Sequence, residues 1–110
     1  MTRFESEIAS AVKNAHDGHV CMTLKLKTKE DFTYTLSQYN LVQEKEQTQK
    51  QFFDHLKGFA ELNMGAVRET VVNGRAIWTQ HEGRMIASDN VKEVWITFDT
   101  YSSPEIPLEG

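Results

Sequence analysis

Two periods divide this chain. Apolar residues Phe4, Ile8, Ala11, Val12 and Ala15 recur at steps of three and four, which places them on one stripe of a helix. Thr2-Arg3-Phe4-Glu5 just before them matches a capping box, in which the Thr and Glu side chains satisfy orphan backbone donors reciprocally. The pattern predicts a helix from about Arg3 to His16, ended by Asp17-Gly18 with the glycine in a left-handed cap. From His19 to Lys27 the period becomes two. Val20, Met22, Leu24 and Leu26 form one face, and Cys21, Thr23, Lys25 and Lys27 the other. After the polar Thr28–Asp31 turn, Phe32, Tyr34 and Leu36 resume the alternation, with Thr33, Thr35 and Ser37 opposite. Residues 19–37 therefore read as a half-buried hairpin.

Between Gln38 and Gln47 the pattern is ambiguous between helix and loop, because Tyr39, Leu41 and Val42 precede an entirely polar run. Thr48-Gln-Lys-Gln51 is a second capping box. Phe52, Phe53, Leu56, Phe59 and Ala60 then give a second helical stripe, with a stop expected at Asn63-Met64-Gly65. Gly58 within that stripe suggests a close approach to a sheet. Val67 to Val72 is rich in β-branched residues and runs into Asn73-Gly74, which together predict a strand and a type I′ hairpin turn. Arg75–Gln80 reads as the return strand, and Glu82-Gly83 as a second turn. Arg84–Ser88 is a short strand, and Val91–Tyr101 a long one with Val94, Ile96 and Phe98 on one side and Trp95, Thr97, Asp99 and Tyr101 on the other.

The expected fold is α+β. An antiparallel sheet of five or six strands, open or curled into a small barrel, is covered by two helices in the order α-ββ-α-ββββ. Residues 1–101 form one domain and 102–110, with Pro104 and Pro107, an extended tail. Leu36-Ser-Gln-Tyr-Asn-Leu-Val42 resembles the end of the first motif of Sm-like small barrels, and Met85-Ile-Ala-Ser-Asp-Asn-Val91 their second. That resemblance implies barrel topology, and no functional residue follows from it.

Composition narrows the function classes. A length of 110 residues suits one core, and a net charge of −4 argues against a surface that tracks nucleic acid throughout. There is no run of eighteen apolar residues and no apolar leader, and the single Cys21 fits a reducing compartment. A cytoplasmic, non-membrane protein is the expectation.

Candidate chemistry is sparse. His16 and His19 with Asp17 and Cys21 have metal-ligand types but lack the second pair that would complete a tetrahedral site. Cys21 has no neighbouring base in sequence, and the carboxylate pairs Glu30-Asp31 and Glu44/Glu46 lie in polar segments without a pocket to shift them. The reading is therefore a non-enzymatic protein with no metal, no cofactor and no catalytic residues. Its expected role is a protein-interaction module that binds another protein or its own copy, such as a small inhibitor or regulator of the phage or mobile-element type. Trp78, Trp95 and Tyr101 are the interface candidates, since large amphipathic rings anchor interfaces. The alternative is nucleic-acid binding through Lys25, Lys27, Lys29, Arg75 and Arg84, with phosphates on the cations and bases stacked on aromatics.

Overall fold

The computed structural model describes residues 2–15 and 17–100. Tyr101, the tail and His16 lie outside the described residues. The order is helix α1 (Arg3–Lys13), strands β1 (His19–Thr28) and β2 (Thr33–Val42), helix α2 (Gln49–Val72), strands β3 (Ile77–Thr79) and β4 (Arg84–Ile86), a 3-10 turn at Ser88–Asn90, and strand β5 (Val91–Thr100). The class is α+β with antiparallel sheets and two helices. The strands divide into a three-stranded sheet ordered β2-β1-β5 and a separate two-stranded β3-β4 ribbon, so no barrel closes.

Both capping boxes form as the sequence requires, Thr2 with Glu5 and Thr48 with Gln51. α1 ends earlier than its stripe suggests, at Lys13 with Asn14 as C-cap. Gly18, at φ +75°, sits at the mouth of the first hairpin, where its carbonyl accepts from the Gln43 N–H at 2.9 Å. A side chain there would press on Gln43 Cβ at 3.1 Å.

The first hairpin extends further than its alternation shows. β1 pairs with β2 from His19 opposite Val42 to Lys27 opposite Thr33, so Tyr39–Val42 is strand rather than helix or loop. The register slips where Leu24 faces Ser37 but Lys25 faces Thr35, which leaves Leu36 as the extra residue of a bulge. The bulge moves the inward set from Tyr34 and Leu36 to Tyr39 and Leu41, and that phase change hides the strand in the sequence.

The larger correction concerns Val67–Val72, which is the last part of α2 and not a strand. Ala60, Met64, Val67 and Val71 continue the helical stripe at steps of four, three and four, and all pack into one core. Burial along that stripe outweighs the weak β preference of valine. Asn73-Gly74 caps the helix. A type I′ turn needs positive φ at both residues, whereas Asn73 has φ −81° and Gly74 alone has φ +73°. The Gly74 N–H donates to the Val71 carbonyl and the Arg75 N–H to the Thr70 carbonyl, each at 3.0 Å, which is the Schellman arrangement. One expected strand is thereby lost, and the second half of the chain is βββ.

Asn63-Met64-Gly65 does not stop α2, and Gly58 marks no close approach. A Cβ at either Gly58 or Gly65 would meet nothing within 4 Å. Both glycines therefore only weaken the helix. Gly58→Ala and Gly65→Ala are each expected to stabilise the fold by about 0.5–1 kcal/mol in urea unfolding, and a loss of stability in both would contradict this placement.

The helices cover one face of the three-stranded sheet. Val20, Met22, Leu24 and Leu26 of β1 are buried under them. Ile8, Ala11 and Val12 of α1 meet Val20 of β1 and Phe52 and Leu56 of α2 in one cluster. Ile77 and Ile86 of the ribbon join Leu26, Leu36, Ala60 and Ile96 in the other. No helix among the described residues is long and apolar enough to cross a membrane.

The two helices are also joined by charge. Glu5 accepts from the Thr2 N–H at 3.0 Å and from Lys57 Nζ at 2.9 Å. The backbone hydrogen bond from Thr2 and then Lys57 lower its pKa from 4.5 to about 2. A carboxyl with a lowered folded pKa contributes stability above its unfolded value, and that contribution is lost as the pH falls from 4.5 towards 2. Glu5→Gln is expected to flatten this part of the acid limb in a plot of Tm against pH. An unchanged slope would contradict the assignment.

Candidate protein interface

The ribbon is built to expose one ring. A three-residue strand has two inward positions and one outward, and in β3 Ile77 and Thr79 point in while Trp78 points out. Met85 of β4 lies directly across from Trp78. Trp78 is 55% exposed and Met85 59% exposed, unusual for side chains of this size.

Beneath them the ribbon is held firmly. Thr79, fully buried, accepts from the Arg84 N–H at 3.0 Å and donates to the Arg84 carbonyl at 3.2 Å. Gly83 turns the chain at φ +64°, with the Trp78 ring lying alongside it; a Cβ there would sit 3.7 Å from Trp78 Cη2. The tip is tied to β2 twice: Gln80 N–H donates to the Leu36 carbonyl at 3.3 Å, and Glu82 Oε1 accepts from the Thr35 N–H at 3.2 Å.

Beside Trp78 a hollow of about 230 Å³ is lined by Ala66, Val67 and Thr70 of α2, together with Ala76 and Ile77. Leu62 lies one turn before Ala66 on the same helix face and is 70% exposed. The surface thus combines an exposed indole, a flexible thioether and a small-residue helix face. Such a set offers apolar area and adaptable fit.

The other candidates fall elsewhere. Trp95 is on β5, half-buried on the open face of the three-stranded sheet and opposite Lys25. The two tryptophans therefore belong to different sheets. Lys25 and Lys27 share that open face of β1, where Lys27 lies opposite Glu93 of β5. Lys29 follows β1, Arg84 is on the ribbon and Arg75 in the connection before it, so the five cations do not share one sheet. Cys21, also on the open face, is 3.9 Å from Thr23 Oγ1. Among the described residues no three His, Cys, Asp or Glu side chains gather as a metal site.

Sequence reasoning missed Met85, Leu62 and Ala66. The signal for the last two is their four-residue step with Thr70, which is invisible while residues 67–72 read as a strand. Comparison with family models, with curated proteins and with solved structures finds no match.

Proposed function

We propose that the protein is a non-enzymatic protein-interaction module, acting as a small inhibitor or regulator of a larger complex, with Trp78 as its anchor. One observation carries this reading: Trp78 and Met85 stand exposed side by side on a ribbon whose inner residues Ile77, Thr79 and Ile86 are buried and whose tip is hydrogen-bonded to β2. Exposed apolar groups on a rigid frame lose little freedom on binding, and aromatic and Met residues are enriched at interface centres. The partner this surface suits has an apolar knob or helix face with a small protrusion that enters the hollow beside Trp78.

A second reading, nucleic-acid binding, is favoured by Lys25 lying opposite Trp95 on the open sheet face, where a phosphate and a base would find neighbouring contacts. Glu93 and Asp99 on the same strand oppose it. Affinity capture from a lysate of the source organism, with and without nuclease and with mass spectrometry, separates the two. A protein retained through nuclease treatment supports the interaction module, and loss of all bound species with nuclease favours the second reading.

A further inference from the structure

The two edges of the three-stranded sheet are treated differently. At β2 the ribbon tip covers the edge, taking up the Thr35 N–H and the Leu36 carbonyl. Beside β5 lies a hollow of about 370 Å³, with Ser10, Ala11 and Asn14 of α1 on one wall and Phe98, Asp99 and Thr100 on the other. It reaches Thr100, the last described residue. The backbone groups that β5 turns to its free side follow from the pairing. The Thr28 N–H donates to the Phe32 carbonyl at 2.9 Å, which directs the even-numbered β1 residues to β2 and the odd-numbered ones to β5. Cys21, Thr23 and Lys25 therefore bond to Asp99, Thr97 and Trp95, which lie opposite them. That leaves the N–H and C=O groups of Ile96 and Phe98 pointing away from β1. Among the described residues these groups have no backbone partner.

We infer that the chain's own residues 101–110 turn back after Thr100 and lie along this edge as an added strand antiparallel to β5, with Ile106 and Leu108 against the hollow beside α1. Two features of that segment require the same phase. Ile106 and Leu108 alternate with Glu105, Pro107 and Glu109, so one side of the segment is apolar. Pro107 has no N–H to give a ladder, so its backbone must point away from β5. With Pro107 outward, the backbone groups of Ile106 and Leu108 turn to β5. Pairing them with Thr100 and Phe98 then sets both side chains on the helix side, in line with Ile96 and Phe98. The outward proline also blunts the new edge.

Chain length and turn chemistry fit this register. Pairing Ile106 with Thr100 leaves residues 101–105 as the connection, a common hairpin length, and Ser103-Pro104 suits the first two positions of a type I turn within it. At about 3.3 Å per residue, residues 106–110 reach back along β5 to Ile96. A shift of one residue would move Ile106 and Leu108 to the open face and aim Pro107 at β5. In the favoured register Pro107 lies across from Asp99 and Glu109 across from Thr97, so no like charges face each other. The segment is tethered at Thr100, beside its site, and so meets the edge at a higher effective concentration than a separate chain does. The proposal uses none of the Trp78 surface, so either can fail without the other.

Amide hydrogen exchange of the full chain, read residue by residue by NMR, tests this against the double variant Ile106→Asp with Leu108→Asp. Neither residue belongs to the core clusters, and the Thr23 amide at the centre of β1 serves as the internal standard of folding. The Ile96 and Phe98 amides are expected to be protected in the wild type at every protein concentration. In the variant they should exchange about tenfold or more faster, with Thr23 unchanged. Equal exchange of the Ile96 and Phe98 amides in the two chains overturns the inference. So does protection that fades on dilution of the wild type, which assigns the edge to a second copy.

Discussion

Phe52→Ala is expected to lower the unfolding free energy by about 3–5 kcal/mol, the largest effect of any single truncation in this fold. Phe52 has no exposed surface and stands in the first turns of α2, where it meets Ile8, Ala11 and Val12 of α1 and Val20 of β1. Removing the ring leaves a cavity that three separate elements border, and none of them can close it alone. A domain of this size has total stability of about 5–15 kcal/mol, so the variant should sit near its folding threshold. Urea unfolding measures the effect through the midpoint, with the slope unchanged if the native state stays compact. A change below about 1 kcal/mol would mean that α1 and α2 do not share a core as described.

Trp78→Ala is expected to act in the opposite way, with little effect on folding and a large effect on binding. The buried members of its ribbon are Ile77, Thr79 and Ile86, and these keep their contacts when the exposed ring is removed. Interface anchors of this type typically cost about 2 kcal/mol or more on truncation, roughly a thirty-fold weaker Kd. A matched Trp95→Ala variant provides the contrast, because Trp95 lies on the other sheet. Isothermal titration of each variant against a captured partner gives the ratio, and thermal unfolding confirms that each is folded. Equal Kd values for Trp78→Ala and the wild type would remove Trp78 from the interface.

The parts of the fold set by local chemistry were legible in the chain. Thr2 with Glu5 and Thr48 with Gln51 announce both helix starts, and the run from His19 to Lys27 announces β1, because capping and alternation act within a few residues. The parts that were not legible depend on contacts distant in sequence. Val67 and Val71 favour a strand by type, and only their burial with Ile77 and Ile86 makes them helical. Asn73-Gly74 serves either a turn or a helix cap, and the preceding residues decide which. The bulge at Leu36 breaks an alternation that otherwise reaches Val42. For the site, Trp78 was visible as a large ring on a short strand, but its exposure depends on how the ribbon lies against β2 and α2. Met85 gains meaning only from the pairing that sets it opposite Trp78.

Trp78 is proposed to anchor a protein partner. The most direct test is side-by-side capture from one nuclease-treated lysate with the wild-type chain and with Trp78→Ala, the bound proteins being quantified by mass spectrometry. The expected result is a defined protein retained by the wild type and reduced to background by the variant. A partner captured equally by both chains would contradict it.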